Sequence, residues 1–178
     1  LLHLLDSSFD IDHADARPEA WCAINAGRQA KPTFALLGDS HALQVLDAFE
    51  AAFKAYPEKK DVRFRNEHSQ ILDESDIARF GRLGVIASIQ GIHGTSDLPW
   101  ASQRLGEARV LEGAYVWQKL MKSGALVTNG TDAPVEDVDP IASYYATVSR
   151  KLKDGSVFYP DQRMNRMEAL RSYTINGA

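Results

Sequence analysis

The stretch DESDIARFGRLGVIASIQGIH, residues 73–93, contains the unit that decides the fold. Asp73 is a typical helix N-cap and Gly84 a typical helix end, so the pattern predicts a helix between them. The run VIASIQ (85–90) is then predicted to be a strand that is apolar on both faces, as strands of a covered parallel sheet are. Polar residues follow it and lead to His93. The stretch therefore predicts one helix–strand unit of an α/β protein with a polar strand end.

The same alternation continues on both sides of this unit. Further strands are predicted at 33–38, 61–67 and 125–130. Helical patterns cover 40–57, 111–124, 140–152 and 163–174, and residues 1–30 give little pattern beyond one helix after Pro18. Strands that alternate with helices imply parallel pairing through right-handed crossovers.

Composition limits the protein class. The chain has 178 residues, 44% of them hydrophobic, and a net charge of -4, so we expect a single domain over 1–178. Lys and Arg are scattered, which argues against nucleic acid as a partner. Cys22 is the single cysteine, which excludes an internal disulfide framework. No apolar run approaches the ~20 residues of a membrane span, so we expect a cytoplasmic protein. The chain lacks an initiator Met, and we expect it to be a piece of a longer protein.

Chemistry-bearing side chains follow each predicted strand. They are Asp39 and His41 after the first, Glu67, His68 and Gln70 after the second, Gln90 and His93 after the third, and Asp132 after the fourth. Because the carboxyl ends of parallel strands share one edge, these side chains are expected to lie close together. Imidazole and carboxylate groups suit Zn²⁺ or a related divalent ion.

Simpler interpretations of the same residues stay open at this point. Asp132 lies two residues before Pro134, and aspartate near proline is a common turn former. A histidine at a strand end is often a hydrogen-bonded structural residue. Asp39 after Gly38 is equally consistent with a helix N-cap.

Longer motifs carry a more specific signal. RFRNEHSQILDESDIARFGRLGVIASIQGIHGTSDLPWASQRLG (63–106) resembles amidohydrolase family 3, a group of metal-dependent hydrolases that includes N-substituted formamide deformylases. That family has an Arg-x-x-Glu-His-Ala-Gln stretch, a Leu-Gly-Val-x-Ala-Ser-x-Gln strand and a His-x-Thr-Ser-Asp loop. GAYVWQKLMKSGALVTNGTDAPVEDVDPIASYYATVSR (113–150) is similar to its last barrel strand and the next helix, and RMEALRSYTINGA (166–178) to its Glu-Ala-Leu-x-x-Tyr-Thr close.

The resemblance implies a partial (β/α)₈ barrel, roughly its last four strand–helix units. It implies hydrolysis of a non-peptide C–N bond, in an amide, formamide or cyclic amide, by metal-activated water acting on a small-molecule substrate. It assigns metal binding to His68 and Asp132, proton transfer to Asp132, and a substrate contact to His93. Glu67, Arg65 and Gln70 would orient these groups. The expected cofactor is a divalent metal, with zinc as the first choice.

Two departures from the family pattern support a different function. Ala35 stands where the family has a metal-binding histidine, and no His-x-His pair occurs in the chain. The alternative is a non-catalytic, degenerate or truncated half-barrel that binds no metal. Such a half-barrel would expose strand edges and associate into homo-oligomers. A flavodoxin-like binding domain is disfavoured because the sequence has no Gly-x-Gly-x-x-Gly run.

Overall fold

Parallel strands form the centre of the molecule. The computed structural model describes residues 35–36 and 42–178, with the backbone alone at 35–36 and 98–100. The predictions for 1–34, Asp39 and His41 lie outside the described residues. One sheet has the order β1-β2-β3-β4, so neighbours in the chain are neighbours in the sheet. The strands are β1 (Ala35–Leu36), β2 (Arg65–Asn66), β3 (Ile86–Gln90) and β4 (Val127–Gly130). This order confirms the α/β prediction and is that of consecutive units in a (β/α)₈ barrel.

Helices connect the strands. Within the described residues they are α1 (Ala42–Ala55), α2 (Glu74–Leu83), α3 (His93–Ser96), α4 (Leu98–Leu105), α5 (Glu107–Gly113), α6 (Trp117–Lys122), α7 (Pro140–Ser149) and α8 (Arg166–Tyr173). Two short 3₁₀ turns occupy Pro160–Gln162 and Ile175–Gly177. None of the helices in the described part of the chain is both long and apolar enough to cross a membrane.

Local capping explains where several helices begin and end. The side chain of Asp73 accepts a hydrogen bond from the backbone N–H of Ser75, and Gly84 ends α2 at φ 66°. Asn165 and Glu168 form a reciprocal capping box at the start of α8. Asp139 caps α7, whose first residue is Pro140. The predicted cap at Asp73 and helix end at Gly84 are confirmed, because they depend on groups that act within one helical turn.

Register aligns the carboxyl ends of the strands. Asn66 of β2 pairs with Ala87 of β3, which pairs in turn with Val127 of β4. At the end of β3, Gln90 pairs with Gly130. The residues that follow β2, β3 and β4 therefore leave the sheet at one edge.

The predicted single helix over 111–124 is wrong. The chain breaks between α5 and α6, where Tyr115 has φ 53°. The backbone there bonds to the segment after β2 instead: Tyr115 N donates to the Gln70 carbonyl at 2.7 Å, and Leu72 N to the Gly113 carbonyl at 2.9 Å. A Cβ on Gly113 would lie 1.8 Å from the Leu72 carbonyl oxygen, so only glycine fits. These contacts replace helical bonds that the spacing alone predicted.

Smaller differences concern the first helix and the neighbouring loops. Leu43, predicted on the buried face of α1, is 55% exposed, whereas Leu46 and Phe49 are buried as expected. The connection after β3 contains α3 and α4, for which the sequence patterns predict no helix. The strand predicted at 61–67 pairs only over Arg65–Asn66, because a strand boundary depends on where its neighbour leaves the ladder.

A buried arginine lies at the end of α7. Arg150 is fully buried, donating from Nε to the Phe158 carbonyl and from Nη1 to the Tyr115 carbonyl, each at 2.8 Å. Its guanidinium also lies 4.4 Å from the ring centroid of Trp117 and 4.7 Å from that of Phe158. Burial lowers the pKa of Arg150 to about 9. We call Arg150, Trp117, Phe158 and the Tyr115 carbonyl the arginine centre.

Candidate metal centre

Three predicted site residues meet at the carboxyl edge of the sheet. His68 Nδ1 and His93 Nε2 each lie 3.9 Å from Asp132 Oδ2. One ligand atom from each of the three residues lies within 4.8 Å of the others. The two imidazole rings are nearly parallel, with centroids 6.3 Å apart. We call His68, His93 and Asp132 the histidine–aspartate cluster.

A tight turn after β2 presents His68. His68 and the next residue, Ser69, have φ values of 68° and 44°, in the left-handed region. Ser69 Oγ donates to the Asn66 carbonyl at 3.1 Å and accepts from Asn66 Nδ2 at 3.0 Å, and both side chains are buried. The Nδ1 atom of His68 lies 3.0 Å from Gln90 Oε1. The same Nδ1 atom is the one that faces Asp132, so Gln90 orients the His68 ring at the cluster.

Asp132 follows β4 in a second left-handed turn. Its φ is 59°, and its carbonyl accepts from Val135 N at 2.8 Å. The end of β4 is held from the side by Asn129, which accepts from Gly91 N at 2.9 Å and donates to Thr147 Oγ1 at 3.0 Å. The turn thus presents the Asp132 side chain to the cluster, while the side chain of Asn129 ties β4 to the loop after β3 and to α7.

His93 is the first residue of α3 and is 5% exposed. Its Nδ1 atom lies 2.5 Å from Gln70 Nε2. The same Gln70 nitrogen lies 3.4 Å from Asp97 Oδ2, and the hydroxyl of Tyr115 donates to that oxygen at 2.9 Å. His93 therefore reaches the cluster through Nε2 while its other ring nitrogen belongs to a buried polar network.

Of the other predicted site residues, Gln70 contacts the cluster, whereas Arg65 and Glu67 contact each other. Gln70 contacts His93, as a group that orients a site histidine should. Arg65 and Glu67 form an ion pair with each other, and no described hydrogen bond joins either one to the cluster. Ala35 lies on β1, adjacent to Arg65 of β2.

Sequence reasoning did not identify three polar residues around the cluster as its supports. In the sequence, Gln90 ends a predicted strand, Asp97 belongs to the His-x-Thr-Ser-Asp loop, and Tyr115 lies in the helix predicted over 111–124. Their partners lie between 18 and 27 positions away in the chain. The available signal for Gln90 was its position as a polar residue at the end of a buried strand. No local pattern marks Asp97 or Tyr115.

The donor set fits a divalent transition metal. Zinc sites in proteins use imidazole nitrogen and carboxylate oxygen, and catalytic sites commonly have three protein ligands. The spacing of the three side chains brings such donors within reach of one ion after small side-chain movements. A carboxylate beside two imidazoles can also accept and return a proton during hydrolysis.

Comparison with known proteins agrees with this geometry. The sequence model of the amidohydrolase family matches residues 8–178. The chain is 34% identical over 143 residues to Protein LONG AFTER FAR-RED 3 of Arabidopsis thaliana, covering 80% of this chain and 24% of that protein. It is 32% identical over 145 residues to the amidohydrolase YtcJ of Bacillus subtilis, covering 80% and 26%. It is 26% identical over 138 residues to N-substituted formamide deformylase of Arthrobacter pascens, covering 75% and 24%.

Two solved structures are also similar. An uncharacterized metal-dependent hydrolase from Pyrococcus horikoshii is 31% identical at a TM-score of 0.67, covering 82% of this chain and 28% of that one. Its counterpart from Pyrococcus furiosus is 30% identical at 0.64, with the same coverage. The chain spans about a quarter of the length of these curated relatives. With nearly all of its residues matched by one family model, the chain belongs to the amidohydrolase family.

Proposed function

We propose that the chain is part of a metal-dependent amidohydrolase that cleaves a non-peptide C–N bond of a small molecule, in an amide, formamide or cyclic amide. The observation that carries the proposal is the meeting of His68, His93 and Asp132 at the carboxyl edge of parallel strands. Barrel enzymes place their chemistry at this edge. The formamide deformylase among the relatives acts on a bond of this class.

In this proposal His68 and Asp132 hold a divalent cation, with zinc as the first choice. A bound cation of this kind supplies Lewis acidity, which lowers the pKa of water and polarises a carbonyl group. His68 approaches Asp132 Oδ2 through Nδ1, and Gln90, whose Oε1 lies 3.0 Å from the same nitrogen, orients the ring. Further ligands come from outside the described residues, since catalytic zinc normally has three protein ligands.

Asp132 transfers the proton of the reaction. The carboxylate accepts a proton from the attacking water as the new C–O bond forms. It returns that proton to the leaving nitrogen as the C–N bond breaks, so the products are an acid and an amine. The carboxylate is 30% exposed, which allows water to reach it, and Val135 N fixes its turn.

His93 contacts the substrate carbonyl. Its ring is buried, and its Nε2 atom points toward the same oxygen of Asp132 that His68 approaches. A donor at this position stabilises negative charge that develops on the carbonyl oxygen during attack. Its placement by α3 and Gln70 keeps the ring in one orientation.

Ala35 supports the second candidate function, a half-barrel that retains the scaffold but binds no metal. The methyl group of Ala35 offers no donor where the family has histidine, and no His-x-His pair occurs in the sequence. The metal-dependent amidohydrolase is expected to bind a divalent metal, and the non-catalytic half-barrel is expected to bind none.

Metal content and activity test both candidates in one experiment. The purified chain is dialysed against Zn²⁺, its zinc is measured by mass spectrometry, and hydrolysis of N-substituted formamides and cyclic amides is followed. We expect bound zinc, measurable hydrolysis, and a loss of at least about 100-fold in kcat for Asp132→Asn. Asp137→Asn, the same change on an exposed residue of that loop, should leave both readouts unchanged. Absence of both zinc and hydrolysis in the wild-type chain would establish the non-catalytic half-barrel.

A further inference from the structure

Asp97 lies beyond the cluster but contacts the network that reaches it. Its Oδ2 atom accepts from the Tyr115 hydroxyl at 2.9 Å and lies 3.4 Å from Gln70 Nε2. The Gln70 amide is buried, and its nitrogen also lies 2.5 Å from His93 Nδ1. One amide group therefore stands between a carboxylate and a site imidazole.

The carboxylate determines which way this amide faces. An ionised carboxylate accepts hydrogen bonds and cannot donate them, while the amide of Gln70 has a donor end and an acceptor end. Turning the amide over would direct its oxygen toward Asp97 Oδ2, placing two acceptors against each other in a buried site. The donor end therefore faces Asp97, and the same NH₂ group faces His93.

A donor at Nδ1 fixes the tautomer of the neutral imidazole. When Nδ1 accepts a hydrogen bond, the ring proton must lie on Nε2. That is the atom 3.9 Å from Asp132 Oδ2, on the inner side of the cluster. In this tautomer Nε2 is a hydrogen-bond donor and has no lone pair for a metal.

We propose that Asp97 is a positioning residue that, through Gln70, holds His93 as the Nε2–H tautomer and so makes it a donor to substrate instead of a metal ligand. The tautomer itself is independent of the metal, but its use in catalysis rests on the proposed function. The same geometric cluster of three residues then contains two kinds of site residue: His68 and Asp132 offer lone pairs, and His93 offers a proton.

The experiment reads the tautomer directly. The full chain is labelled with ¹⁵N-histidine, and two-bond ¹H–¹⁵N spectra are recorded without metal at pH 8, above the ordinary imidazole pKa of ~6.5. His93→Gln assigns the His93 signals. We expect His93 of the wild-type chain to show a protonated Nε2 and an unprotonated Nδ1.

Asp97→Asn tests the role of the carboxylate. Asparagine has nearly the same shape but can donate as well as accept, so it tolerates either orientation of Gln70. We expect the ratio of Nε2–H to Nδ1–H at His93 to fall about fivefold or more. Asp161→Asn, the same change at an exposed residue of the 3₁₀ turn, should leave the ratio unchanged.

Two results would overturn the proposal. One is a wild-type His93 with its proton on Nδ1, which needs no variant and holds even if Asp97→Asn fails to fold. The other is a folded Asp97→Asn chain whose tautomer ratio equals that of the wild type. Zinc binding by the wild-type chain, measured separately, tests the proposed function: its absence with the expected tautomer would remove the catalytic use but leave the role of Asp97 intact.

Discussion

The histidine–aspartate cluster and the arginine centre are both polar, yet they differ in how their polar atoms are satisfied. In the cluster, Asp132 and His68 keep 30% and 21% of their side-chain surface in solvent, and each imidazole lies 3.9 Å from Asp132 Oδ2. In the arginine centre, Arg150 has no solvent exposure and donates two bonds of 2.8 Å to carbonyls. The cluster therefore keeps contact with solvent at His68 and Asp132, whereas Arg150 has none.

This difference separates a binding role from a structural one. Burying a charge costs free energy unless its hydrogen bonds are satisfied. Arg150 recovers part of that cost through two carbonyl acceptors, while its buried Nη2 atom has no hydrogen-bond partner among the described residues. Arg150 connects the carbonyl of Tyr115, in the break between α5 and α6, to the carbonyl of Phe158 after α7. In the cluster, His68 and Asp132 sit on left-handed turns instead, and His93 begins α3. Tyr115 links the two regions, because its carbonyl accepts from Arg150 and its hydroxyl donates to Asp97, which reaches His93 through Gln70.

Arg150→Ala should produce the largest effect on folding. Truncation leaves a cavity under Trp117 and two carbonyls without donors, so we expect the free energy of unfolding to fall by about 3–5 kcal/mol. Urea unfolding followed by tryptophan fluorescence measures it. Arg166→Ala, at an exposed arginine, should change stability by less than about 0.5 kcal/mol. A loss under about 1 kcal/mol for Arg150→Ala would contradict the structural role.

His68→Ala should weaken metal binding strongly and change the free energy of unfolding little, the opposite of Arg150→Ala. We expect Zn²⁺ affinity to fall at least about 100-fold, because one proposed ligand is lost. Stability without metal should change by less than about 1 kcal/mol, since the side chain is partly exposed. Titration calorimetry with Zn²⁺ alone and urea unfolding give the two numbers. Lys151→Ala, at an exposed residue, serves as the control, and equal zinc affinity in His68→Ala and wild type would exclude His68 as a ligand.

The stability contributed by Arg150 should depend on pH. Burial lowers its folded-state pKa to about 9, well below the ordinary value of a guanidinium. Below pH 9 both states are protonated and the cost of the buried charge is fully present. As pH rises above 9 the folded state releases the proton first, so stability rises. Relative to Arg150→Met, which cannot titrate, the wild type should gain about 1 kcal/mol between pH 8 and pH 10.

Urea midpoints of both chains at the two pH values measure this gain. Titration of lysines and tyrosines affects both chains alike and cancels in the difference. A difference that does not change with pH would mean that the guanidinium keeps its proton in the folded protein.

Tyr115→Phe should give the smallest effect and tests whether the two regions are coupled. The carbonyl that Arg150 binds is retained, while the hydroxyl that donates to Asp97 is lost. We expect a loss of about 1 kcal/mol in the free energy of unfolding, the usual value of one hydrogen bond. Tyr145→Phe, at a ring that is 57% exposed, should be neutral. A loss above about 3 kcal/mol would show that the hydroxyl supports the arginine centre as well.

Prediction from sequence succeeded where one segment contains the cause. The caps at Asp73 and Asn165 and the ends at Gly84 follow from groups a few residues apart. The placement of His68, His93 and Asp132 at one edge followed from strand periodicity and parallel order. Prediction from sequence failed for the segment 111–124. The helical apolar spacing continues through this segment, but the backbone N–H of Tyr115 donates to the Gln70 carbonyl and not to a helix carbonyl.

The sequence by itself determined the α/β class, the order of strands and helices, and the family, because apolar periodicity, capping and motif residues act locally. Only the tertiary structure decided which polar groups meet. Gln70 reaches His93 across 23 positions, and Arg150 reaches Tyr115 across 35. Such pairs depend on sheet register and on left-handed turns, which place side chains within about 3 Å of each other. No local pattern records those distances, so the roles of Gln90, Asp97 and Arg150 emerge only from the folded chain.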